Sequence, residues 1–142
     1  MEIVTKIITK LQESTVFTKA KSNSYKGFTL DDTGTWIYND FLTKEGLKAK
    51  EEDDGVTAYI AEMTPTEYLR QSAKLHSTTV SSEATFMDNA KCEKYAKMMK
   101  TGTKFHLPVL DYAYNQQEGR HRAKAALMVG IDKIPVLIVT DL

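Results

Sequence analysis

One stretch constrains this chain more than any other: a glycine set against a block of cations where an alanine-rich helix should begin. It reads Gln116-Gln117-Glu118-Gly119-Arg120-His121-Arg122-Ala123-Lys124-Ala125-Ala126, and Gly130 and Ile134-Pro135-Val136-Leu137-Ile138-Val139 follow. The pattern predicts a loop, a helix from about Arg120 to Val129, and a buried strand from Ile134 to Thr140 with proline near its start. The first turn of a helix offers unpaired backbone N–H groups and the positive end of the helix dipole. Arginines and a histidine placed there predict a site for phosphate or another anion. The competing reading is a solvated helix start, where each exposed cation opposes the dipole at a cost of a few tenths of a kcal/mol. Successive helical residues point about 100° apart, so the three cations cannot face one ligand equally.

Upstream, Ile3, Val4, Ile7, Ile8 and Leu11 have helical spacing, with a strand as the alternative because β-branched residues disfavour helix. Tyr25–Leu30 and Thr35–Tyr38 flank Asp31-Asp32-Thr33-Gly34 and predict a hairpin. A short helix is expected from Asn39 or Asp40 to about Leu47, and the charged run Lys48–Gly55 then suggests a boundary. Residues 1–54 are thus read as an N-terminal appendage and 55–142 as the core domain. Within the core, Val56–Met63 predicts a strand. Thr64-Pro65-Thr66-Glu67 predicts a capped helix start, with Tyr68, Leu69, Ser72 and Leu75 facing inward. The Ser/Thr-rich residues 76–85 are expected to be loop. Asp88 or Asn89 opens a further helix that Gly102 ends, and Lys104–Leu110 predicts a strand. This alternation implies a mixed α/β domain.

Composition excludes several classes. A chain of 142 residues with 42% hydrophobic and 27% charged residues has the make-up of a soluble globular domain. Formal net charge is zero, so nucleic-acid binding would need a local patch. The lysines at 91, 94, 97 and 100 drift around their helix and are better read as a solvated face. A single cysteine, Cys92, forms no internal disulfide, and no Cys/His cluster has zinc spacing. No membrane span or signal peptide is evident, which predicts a cytoplasmic protein. Glu51-Glu52-Asp53-Asp54 lacks the alternating ligands of a calcium loop, and Trp36 with Tyr38 and Phe41 suggests hairpin packing, with a docking surface as the alternative.

These residues and spacings resemble the ParB/sulfiredoxin superfamily. ParB N-terminal domains carry a G-E-R-R box, a short helix, a glycine eleven residues after the first, and an I-P-V strand; Gly119, Gly130 and Ile134-Pro135-Val136 match that order. Arg122 falls on the second arginine of the box and His121 on the first, and His121-Arg122 also matches the end of the sulfiredoxin G-C-H-R motif. Tyr95–Gly102 with Leu107-Pro108-Val109 resembles the family's preceding helix, glycine and strand. The likeness covers about residues 56–142. Arg120 stands where ParB has its box glutamate and where sulfiredoxin has its catalytic cysteine, so neither of those two chemistries carries over.

The resemblance and the basic loop together imply phosphate-centred binding of a nucleotide or of non-specific nucleic acid at Gly119, Arg120, His121 and Arg122. An enzymatic version would be a Mg²⁺-dependent nuclease or nucleoside-triphosphate hydrolase. In it Glu118, His121 and Asp111 are the candidate catalytic residues and Glu118 the candidate metal ligand, because phosphate-bound Mg²⁺ needs carboxylates. The alternative is a non-catalytic module that docks a protein partner or a second copy of itself.

Overall fold

A computed structural model describes residues 18–22, 24–30 and 57–140. Strand β1 is Thr18–Lys19 and β2 is Thr57–Met63; helices α1 (Pro65–Leu75), α2 (Val80–Ala84) and α3 (Asn89–Lys100) follow. Strands β3 (Val109–Asp111) and β4 (Gln116–Glu118), helix α4 (Arg120–Met128) and strand β5 (Ile134–Thr140) complete the described chain. The five strands form one mixed sheet in the order β1-β2-β5-β3-β4. Only the β3–β5 pair is parallel; β1–β2, β2–β5 and β3–β4 are antiparallel. Mixed α/β architecture is therefore as the sequence predicts. No helix among the described residues is long and apolar enough to cross a membrane.

Local sequence accounts for most elements. Thr64 caps α1, its hydroxyl accepting the Glu67 N–H at 3.1 Å, and Pro65 occupies the first turn where no N–H is needed. Tyr68, Leu69, Ser72 and Leu75 are all buried. Asp88 caps α3 by accepting from the Lys91 N–H. All seven residues of β5 are buried because the strand is central and covered on both faces. Ile134, Val136 and Ile138 join the core beneath the helices with Ala61, Met63, Tyr68 and Leu110. Leu137 and Val139 pack on the opposite face with Leu107 and Val109. Ala123, Ala125 and Ala126 are fully buried, which lets α4 lie close against α1 and α3.

Several expectations are corrected. Residues 76–85 contain α2, a five-residue helix capped by Thr79, rather than loop alone. The strand expected over Lys104–Leu110 is β3 at Val109–Asp111, preceded by a bridge from Phe105 to Phe28. Pro108 has no N–H to give the ladder, although its carbonyl accepts from Leu137 N–H at 2.9 Å. The described part of the expected appendage is built into the core: Thr18–Lys19 pairs with β2, and Tyr25 and Phe28 are buried in the main hydrophobic cluster. Tyr25 also donates to Glu62 at 2.6 Å. The hairpin strand expected over Tyr25–Leu30 is instead a tight turn, closed by a Tyr25–Phe28 bridge. The other expectations for residues 1–54, including the partner strand Thr35–Tyr38, Trp36 and the acidic run, lie outside the described residues.

Candidate anion-binding cleft

The loop before α4 is held by constraints that only glycine meets. Gly119 has φ +123°, and a Cβ there would lie 2.8 Å from the Cα of Pro108. Beside it, Tyr68 is wholly buried, with its hydroxyl 3.0 Å from the carbonyls of Val109 and Glu118 and 3.2 Å from Oε1 of Gln117. A phenol has one proton, so it donates to one carbonyl at a time; with the Gln117 amide turned over, its nitrogen donates to the phenol oxygen. Burial raises the Tyr68 pKa well above the ordinary value, so it stays neutral. Tyr68 thereby fastens α1 to the β3–β4 hairpin at the point where the chain enters α4. Helix α4 begins with no side-chain cap on its first turn.

Arg122 is turned into this junction. Its Nε donates to the His106 carbonyl and its Nη2 to the Leu107 carbonyl, each at 3.1 Å, while Nη1 and Nη2 grip both oxygens of Glu118. Its side chain is only 11% exposed. Arg122, expected to bind an anion, is instead a strut joining α4, β4 and the segment before β3.

That arrangement also changes the acids. Glu118, the expected metal ligand and catalytic acid, already holds Arg122. Asp111 pairs with Gln116 at the turn end of the β3–β4 ladder, whereas Glu118 pairs with Val109 at the other end. The Oδ1 atom of Asp111 accepts the Ala113 and Tyr114 N–H groups at 3.0 Å, the geometry that starts the compact turn between β3 and β4. Asn115 completes the turn with φ +54°. Among the described residues no group of three or more His, Cys, Asp or Glu side chains is placed to hold a metal ion. The donor set at this loop does not fit a Mg²⁺ centre.

The cation that does reach a cleft is Arg120. It donates to Glu83 of α2 at 2.6 Å, and the same carboxylate receives the Ser72 hydroxyl at 3.1 Å and contacts His76 Nδ1 at 2.9 Å. A cavity of about 220 Å³ opens here, lined by Leu69, Val80, Ala84 and Met87 with Asn89, Glu83, Arg120 and Lys124. Arg120 and Lys124 lie one helical turn apart and so share a face of α4. A second hollow of about 210 Å³, lined by Thr78, Ser82 and Phe86, meets the first at Glu83 and Arg120. Sequence reasoning missed Glu83 and Lys124. The spacing of Lys124 from Arg120 was available as a signal; Glu83, inside a Ser/Thr-rich segment, offered none.

His121 turns the other way, toward α3. Its Nε2 accepts the Asp88 N–H at 3.1 Å, which requires that nitrogen to be unprotonated. Burial, then Lys91 and Arg120, lowers its pKa below the ordinary histidine value. The unfolded chain therefore binds the proton more tightly. Stability from this group is full above the unfolded pKa of about 6.5 and is lost as pH falls through the lower folded value. We expect the His121 imidazole to titrate below pH ~6.5 with the Asp88 amide shifting alongside it in NMR spectra. His121→Asn should flatten this part of the pH–stability curve; titration at or above the free value would refute the assignment.

Cys92 is free and 2% exposed on α3, and burial pushes its thiol pKa up, the reverse of what a nucleophilic thiolate needs. The lysines at 91, 94, 97 and 100 are all exposed. Comparison with protein-family models, with curated proteins and with solved structures finds no match to this chain.

Proposed function

We propose that this chain is a binding module for a phosphorylated small ligand of the nucleotide class, held in the cleft between α2 and the first turn of α4. One observation carries the reading: the uncapped start of α4 borders a cavity of about 220 Å³ into which Arg120 and Lys124 present two cations from one face. The two side-chain cations then act on the same anion, close to the positive end of the helix dipole. The apolar wall of Leu69, Val80, Ala84 and Met87 suits the body of such a ligand. A cavity of this size takes a phosphate and part of what it is attached to, leaving the remainder in solvent. Binding is favoured over Mg²⁺-dependent hydrolysis because Glu118 and Asp111 are already engaged in holding the fold. The same reading takes the chain as a ParB/sulfiredoxin-like domain, supported by the order of glycine, basic helix and Ile134-Pro135-Val136 strand.

The test is a thermal-shift panel of inorganic phosphate and nucleotides, with and without Mg²⁺. A ligand at a hundred times its Kd should add about 2.7 kcal/mol to stability. Lys124→Ala should weaken binding about tenfold while leaving the unliganded melting temperature near that of the wild type, since among the described residues Lys124 makes none of the ties that hold α4. If neither phosphate nor any nucleotide shifts the transition, the reading fails.

A further inference from the structure

Helix α2 is attached to the protein in an unusual way. Glu83 is its one buried residue, so the helix lacks an apolar face of its own to anchor it. Among the described residues, the side-chain hydrogen bonds that tie α2 to other elements all end on the Glu83 carboxylate, from Ser72 and His76 of the α1 end and from Arg120 of α4. Around this pin the segment is open to solvent: Val80 is 42% exposed and Phe86, just beyond the helix, 84%. Val80 and Ala84 nevertheless roof the cleft. The guanidinium that an incoming anion would seek is therefore already occupied by an anion belonging to the roof.

We propose that Glu83 is a resident competitor for Arg120, and that a phosphorylated ligand exchanges with it and releases α2 as a lid. This rests on the cleft being the ligand site. The exchange swaps one charge-assisted pair for another, so Arg120 is never left unpaired in a partly buried site. The displaced carboxylate leaves with a helix that is otherwise exposed, so it moves to water instead of being stranded. The two hollows that border the Glu83–Arg120 pair give the carboxylate room to withdraw. Ser72 and His76 would lose the same partner together, which makes the release of α2 concerted. Glu83 would also select for charge: a neutral ligand cannot displace it from a guanidinium, whereas a dianionic phosphate can.

The experiment uses the full chain and inorganic phosphate. In the wild type, saturating phosphate should speed amide hydrogen exchange at residues 80–86 at least tenfold, while the first-turn amides of α4 shift in NMR spectra. Glu83→Gln should exchange rapidly in this segment without phosphate and should bind phosphate at least tenfold more tightly. Phosphate that binds the wild type but slows exchange in α2, or Glu83→Gln binding no tighter than wild type, would overturn the exchange while leaving the cleft as the site. Binding by Glu83→Gln alone would overturn the release of α2, because phosphate would then fail to displace the carboxylate from Arg120. Absence of binding by both proteins would overturn the cleft as well. If Glu83→Gln does not fold, the exchange measurement on the wild type decides.

Discussion

Replacing Arg122 by alanine is expected to destabilise the protein by about 3 kcal/mol, because several charge-assisted hydrogen bonds end on one partly buried guanidinium. The loss leaves the Glu118 carboxylate and the carbonyls of His106 and Leu107 without their donor. For a domain of this length that corresponds to a fall in melting temperature of roughly 10 °C. Arg122→Lys should recover little, since an ammonium cannot reproduce the fork that grips both oxygens of Glu118 while reaching two carbonyls. Urea denaturation of wild type, Arg122→Ala and Arg122→Lys measures this directly. A variant that keeps wild-type stability and loses only phosphate binding would restore Arg122 as a ligand residue and remove it as a strut.

Gly119→Ala is expected to have a comparable effect, about 3 kcal/mol, for two reasons that act together. A φ of +123° is strained for any residue with a Cβ, and that Cβ would approach the backbone of Pro108 to 2.8 Å. Relief requires the segment before β3 to move, and the same segment supplies the carbonyls that hold Arg122. The two variants should therefore be less than additive when combined, because each damages the same junction. Denaturation of both single variants and the double variant tests the coupling. Full additivity would mean that the junction is two independent sites.

The elements with strong local punctuation were legible in the sequence. The start of α1 follows from Thr64, Pro65 and Glu67, the start of α3 from Asp88, and β5 from an unbroken apolar run. The entry to α4 was legible too, because glycine before a basic, alanine-rich segment has few other readings. What the three cations of that segment do was not. Arg122 reaches carbonyls 15 and 16 residues earlier, and Arg120 reaches an acid 37 residues earlier. His121 meets the start of α3 at a separation of 33 residues. Those partners are set by how α4 packs against α1 and α3, and no spacing within residues 119–124 encodes it. Helix α2 was hidden for a related reason. Five residues are too few for a helical period to show, and its anchor is a charge, which reads as surface until its partner is known.

The position of β5 bears on how the chain acquires its structure. This strand lies between β2 and β3, with Thr57 against Thr140 and Val109 against Leu137, so the middle of the sheet is contributed by the last strand in the chain and one of its neighbours, β2, lies far back in sequence. Pairings so distant in sequence are slow to form, because a large loop must close before they contribute. Before β5 is made, β2 has only β1 beside it and β3 only β4, so each keeps one open edge that waits for residues 134–140. For that interval the growing chain resembles an aggregation-prone intermediate more than a partly built domain.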